Sequence, residues 1–165
     1  ENEMHTTAYW VTLGRELVDA LPFTISERQN GLSGLLYALE SVASLLLMCD
    51  CMDLGATIGE GAAEASDTPA EWPGTPESPE GEFFEPTLYL YDAYPGGIGL
   101  SEPLFHMHAL LVGRTRELIA GCQCEKGCPS CVGPAGETGE HAKEAALAIL
   151  DRLSAGTSSP EAPGK

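Results

Sequence analysis

Four cysteines crowd into ten residues of GCQCEKGCPSCVG, positions 121–133, and no other feature of the sequence restricts the fold as tightly. Cys122 and Cys124 are separated by one residue, Cys128 follows after three more and Cys131 after two, with Gly127 and Pro129 bracketing Cys128. Thiolates are soft ligands that select zinc or iron–sulfur clusters, and four of them with no other donor match a closed tetrahedral zinc site. Two disulfides within ten residues would close very small loops, whereas a single ion takes all four sulfurs; an iron–sulfur cluster is the other metal alternative. The reading taken is one structural Zn2+ at Cys122, Cys124, Cys128 and Cys131. A four-thiolate shell leaves no position for a water, so the expected role is a clasp and not a catalyst.

The clasp is not needed to hold a miniature fold together. At 165 residues the chain is the size of one domain and buries a core unaided. Eight Lys and Arg stand against 25 Asp and Glu, a formal net charge of −17. Such a balance does not build a groove that draws in nucleic acid, so weak DNA binding is expected of this piece by itself, through local cations such as Arg114, Arg116 and Lys126. No uninterrupted apolar run reaches the length of a membrane span, and ENEMHTTAYW has neither the basic start nor the apolar middle of a signal peptide. The expectation is a cytoplasmic protein without a membrane partner. A start at Glu1 is compatible with a domain excised from a longer chain or with processing.

Hydrophobic spacing places the cysteines. TTAYWVTL, residues 6–13, reads as a strand or as the entry to an amphipathic turn. Leu32, Leu35, Leu36, Leu39, Val42, Ala43 and Leu46 recur at three- and four-residue intervals and predict a helix with one wide apolar face. LLMCDCMDLG, residues 46–55, should leave that helix through a short buried segment into a turn, with Cys49 and Cys51 as small buried apolar side chains. Residues 56–82, rich in Pro, Gly and acidic side chains, predict a mobile loop pinned only by Trp72. PTLYLYDAY, residues 86–94, predicts a central strand, and Ser101 should cap a helix running to Ala120. A last helix spans 140–153, leaving 155–165 as a flexible tail. The fold class is α/β or α+β: a small central sheet packed by amphipathic helices, one domain over 1–154, with the zinc joint between the last two helices.

YDAYPGGIGLSE, residues 91–102, joins strand to helix through glycines. Amides of such a turn can face an anion. Yet the spacing is neither G-x-G-x-x-G nor G-K-[ST], and Asp92 and Glu102 flank it. The residues at stake are Tyr91, Asp92, Pro95, Gly96, Gly97, Gly99 and Glu102, as a tight structural crossing or a contact surface. Asp50, Asp53 and Asp92 each follow an apolar segment and offer either convergent carboxylates or separate capping roles. His106 and His108 lie upstream of the cysteines, as surface or satisfied core histidines. No catalytic residue is assigned.

Taken in order, HTTAYW at 5–10, GLSGLLYAL at 31–39, CDCMDLG at 49–55, YDAYPGGIGLSE at 91–102 and CQCEKGCPSCVGP at 122–134 resemble the C-terminal zinc-binding domain (DUF1998, MrfA zinc-binding type) of MrfA-like superfamily 2 DNA helicases. The resemblance runs from about His5 to Leu153. It implies an accessory, non-catalytic domain of an ATP-dependent 3′ to 5′ helicase in DNA repair, with Cys122, Cys124, Cys128 and Cys131 as zinc ligands. It further implies motor domains that bind ATP and Mg2+, single-stranded or forked DNA reached through the parent, and a nucleoid-associated location. No Walker A lysine motif and no D-E-x-H motif occurs here. Two other readings stand beside it: a stand-alone zinc-stabilised protein-interaction module, and an accessory domain of a phage-defence complex.

Overall fold

The computed structural model of the protein describes residues 4–60 and 85–155. Three strands form an antiparallel sheet in the order β1-β3-β2, where β1 is Ala8–Thr12, β2 is Leu54–Glu60 and β3 is Pro86–Asp92. The central strand is β3, whose Leu88 and Leu90 are buried; the antiparallel pairing is the α+β form of the expectation. Six helices complete the described chain: α1 (Arg15–Asp19), α2 (Ile25–Leu47), α3 (Ser101–His106), α4 (His108–Gly121), α5 (Ala135–Thr138) and α6 (Ala142–Ala155).

The helix that organises the core is α2. Thr24 and Glu27 open it with a reciprocal capping box, the Thr24 hydroxyl accepting from the Glu27 amide and the Glu27 carboxylate from the Thr24 amide. Leu32, Leu35, Leu36, Leu39, Val42 and Ala43 are buried on its inner side against α4, α6 and β2. By length and composition α2 would also suffice to cross a membrane, contrary to the sequence expectation, but half of the relevant stretch is buried inside the protein. Met48 ends it in the left-handed conformation, with φ 53°. The turn that follows is exposed, not buried: Met48, Cys51 and Met52 all face outward, and Cys49 alone of the two cysteines packs on the core.

Residues 56–60, expected in a loop, form most of β2. Glycine and small side chains hid this strand. Tyr91 lies across from Gly55, and the ring of Tyr89, which is paired with Thr57, reaches diagonally over Gly59, so that a Cβ on either glycine would run into a tyrosine ring. The rest of the expected loop, with Trp72, and the expected tail beyond Ala155 lie outside the described residues.

The helix expected over 101–120 is two helices meeting at Met107. Leu104, Leu111, Val112 and Ile119 are buried along them, with Phe105 and Leu118 packed at the core margin. Ser101 does not cap: Leu100 holds that position, and the Ser101 hydroxyl donates to Asp92 instead. Ala142, Ala145, Ala146, Ile149 and Leu150 bury the inner face of α6 against α2. The cysteine segment is what connects α4 to α5 and α6.

Candidate metal centre

Cys122 terminates α4 in extended conformation, and the chain then folds back on itself. Amides of Cys131 and Gly133 both donate to the Cys128 carbonyl, which closes a tight knuckle over CPSC. Gly127 permits it with φ +139°, and a Cβ there would meet Val132 at 2.8 Å. Val132 is itself fully buried, so the loop is anchored in the core through its neighbour Cys131.

All four Sγ atoms lie within 4.8 Å of one another. Cys122 stands 3.5 Å from Cys124 and from Cys128, Cys124 is 3.5 Å from Cys131, and Cys128 is 3.7 Å from Cys131. A tetrahedron with Zn–S bonds of about 2.3 Å has sulfur edges of about 3.8 Å, and these four separations lie close to that value. None of the six cysteines is paired in a disulfide. The environments differ. The Cys124 amide, then the Cys128 and Cys124 side chains, bring the Cys122 thiol down to about 7, whereas burial pushes the Cys131 thiol up to about 12. The buried thiol is the one that most needs a cation to ionise.

Lys143, which sequence spacing did not single out, reaches this loop from α6. Its Nζ donates to the carbonyls of Cys122 and Cys124 at 2.6 and 2.5 Å, and the side chain is only 9% exposed. No local pattern reports such a contact, because the partners lie 19 and 21 residues apart.

The glycine turn is occupied by its own carboxylate. Asp92 is fully buried, and its Oδ2 accepts from the amides of Ile98, Gly99 and Leu100 while Oδ1 accepts from the Ser101 hydroxyl. Burial opposes this ionisation, but the three amides and the hydroxyl outweigh it and hold the carboxyl below its usual range. The amides that such a turn offers to a phosphate are therefore already engaged by an anion. Gly96, Gly97 and Gly99 have φ of +85°, +74° and +89°, and a Cβ on Gly97 would meet the Thr7 hydroxyl at 2.6 Å. Residues 5–7 lace the same turn: the Thr6 hydroxyl donates to the Asp92 carbonyl, the Asp92 amide to Thr7 and the Gly96 amide to His5. Pro95 and Glu102 are exposed at its rim, and Tyr91 is half-buried on the outer sheet face.

Asp50, Asp53 and Asp92 do not make a common ligand set; among the described residues the four cysteines are the one group so placed. Asp53 accepts from the Asp50 amide and the Tyr94 hydroxyl, and Asp50 from the Met52 amide, as turn-forming side chains do. His108 pairs through Nδ1 with the buried Tyr9 hydroxyl at 2.7 Å, and His106 stacks edge-on against Phe105. Neither histidine joins the sulfur cluster.

Every Lys and Arg among the described residues already has an acceptor within the chain. Arg114 meets Glu117, Arg116 meets Asp151 and Lys126 meets Glu140. Arg15 and Arg28 meet Asp19, and Arg152 donates to the Ala20 carbonyl. The cations named above as possible phosphate contacts are thus engaged with carboxylates.

The family profile described as the MrfA Zn-binding domain matches residues 35–132, which include the glycine turn and all four clustered cysteines. Over 154 residues the chain is 33% identical to the uncharacterized ATP-dependent helicase YprA of Bacillus subtilis (strain 168), covering 93% of this chain and 18% of that protein. It is 36% identical over 45 residues to the uncharacterized protein MJ1572.1 of Methanocaldococcus jannaschii, covering 27% of this chain and 40% of that one. Among solved structures, it is similar to the DUF1998 helicase MrfA bound to DNA, with a TM-score of 0.60 and 30% identity over 93% of this chain and 18% of the other. Against MrfA bound to DNA and AMPPNP the TM-score is 0.59 at 30% identity, covering 92% of this chain and 16% of that one. The chain spans less than a fifth of the helicases it matches along its length.

Proposed function

Because the chain belongs to the family of MrfA Zn-binding domains, we propose that it serves as the zinc-stabilised accessory domain of an ATP-dependent 3′ to 5′ DNA helicase acting in DNA repair. In this reading Cys122, Cys124, Cys128 and Cys131 hold one Zn2+, which supplies rigidity and no reaction. ATP and Mg2+ belong to motor domains elsewhere in the parent chain, and single-stranded or forked DNA is reached through them. The domain takes in residues 1–154 and works with the parent in the cytoplasm at the nucleoid.

The observation that carries this reading is the closed sulfur tetrahedron at the joint of α4 with α5 and α6. Four thiolates leave no coordination position for a substrate, so the centre suits positioning a motor or its DNA. The charge supports an indirect role in DNA binding, since the described cations are engaged internally and the net charge is −17. That acidity also favours a second reading, an independent protein-interaction module.

A comparison of the full-length parent with a form lacking this domain separates the two. DNA-stimulated ATP hydrolysis, strand separation and DNA affinity are measured after the motor is shown to be folded. Loss of unwinding by a folded motor supports the accessory role. Unchanged hydrolysis, unwinding and affinity would move the weight to the interaction module.

A further inference from the structure

Lys143 is a buried cation with no carboxylate to balance it. Its ammonium donates to two neutral carbonyls, those of Cys122 and Cys124, and no Asp or Glu among the described residues forms an ion pair with it. Burying a charge without a counter-ion is costly enough that proteins rarely do so. Both acceptors belong to residues of the sulfur quartet, which is where an excess of negative charge arises once the thiols ionise. Four thiolates around one divalent ion leave two negative charges. The quartet also begins at the C-terminal end of the fourteen-residue α4, where the helix carries a partial negative charge of about half an electron. Lys126, the other cation of the loop, is exposed and paired with Glu140.

We infer that Lys143 is the counter-ion of the four-thiolate centre, a positioning residue whose ammonium offsets the excess charge and fixes the backbone of the first two ligands. The inference rests on the zinc reading above. It also gives α6 a direct hold on the metal loop, since Lys143 lies beside Ala142, which packs in the core near Gly34 of α2.

Zinc affinity, measured by competition with a chromophoric chelator, tests this in the full chain and in K143R, K143Q and K143M, each checked for folding by circular dichroism. K143Q retains a hydrogen-bond donor for the carbonyls without the charge, and K143R retains the charge. The expected order is wild type close to K143R, with K143Q and K143M weaker by about 10- to 100-fold, the scale of losses seen when outer-shell partners of a metal site are removed. K143Q equal to wild type would overturn the counter-ion role, because hydrogen bonding alone would then suffice. K143R as weak as K143M would overturn it too, since charge would not be the property that matters. If a neutral variant folds only when zinc-loaded, the rate of zinc release to excess chelator is compared instead, and the same order is required. A wild-type chain that takes up no zinc removes the metal site itself, an outcome distinct from failure of the Lys143 role alone.

Discussion

Gly31 of α2 and Ala145 of α6 touch so closely that a Cβ built on Gly31 would lie 2.5 Å from the Cβ of Ala145. Three residues on, Gly34 faces Val132 at 3.0 Å and Ala142 at 3.4 Å by the same construction. The two glycines therefore let α6 and the end of the cysteine loop lie directly against the long core helix. Helix packing and the metal loop share one contact.

Substitution at this contact has an expected sign that helix propensity alone would get wrong. Gly31→Ala gains about 1 kcal/mol of propensity but forces overpacking that costs about 1–3 kcal/mol. A net loss is expected in urea denaturation. Gly113, in α4, has nothing within 4 Å of its Cβ position. Gly113→Ala should therefore stabilise by up to about 1 kcal/mol. Equal gains in both variants would contradict the close packing.

Purified protein should hold about one zinc per chain by elemental analysis, as expected of a single four-thiolate site. Cys128→Ser, or zinc removal by a strong chelator, should lower the melting temperature by more than about 5 °C, because the joint between α4 and the following helices loses its clasp. Identical melting curves with metal loss verified would reject a stabilising role. An iron–sulfur absorption band without zinc would reject the metal assignment.

Asp92→Asn should cost about 2 kcal/mol, since the amides of Ile98, Gly99 and Leu100 lose their anionic acceptor inside the fold. The folded carboxyl titrates below its ordinary value of 3.8, so its stabilisation is fully present above that value and is lost as pH falls through the lower, folded one. The deficit of the variant relative to wild type should therefore stay constant between about pH 8 and pH 5 and shrink only in stronger acid. A deficit that vanished near pH 6 would show that another group is titrating.

The isolated domain should bind single-stranded DNA more weakly than about 100 µM at about 0.15 M salt, at or beyond the weak end of nonspecific binding. Fluorescence anisotropy checks this. Micromolar binding would mean that the pairs Arg114 with Glu117, Arg116 with Asp151 and Lys126 with Glu140 open readily to phosphate.

What the sequence determined by itself is the short-range part of this protein. Cysteine spacing defined a compact set of soft donors, because ligands within ten residues meet through local turns. The apolar intervals of α2 marked its buried face for the same reason: periodicity is a local property. Tertiary structure alone decided which charge meets which group. Asp92 flanks the glycine turn in sequence as though to repel an anion, yet in the fold it is the anion that the turn binds. β2 is defined by its pairing with β3 and by the rings of Tyr91 and Tyr89 packed over Gly55 and Gly59, because a strand of small residues shows no hydrophobic alternation. Lys143 carries no signal in the sequence, and only the packing of α6 beside the cysteine loop brings its ammonium to the carbonyls of Cys122 and Cys124. Each of these depends on segments distant in the chain, and a pairing across such distances is set by packing and charge in three dimensions, which no local pattern encodes.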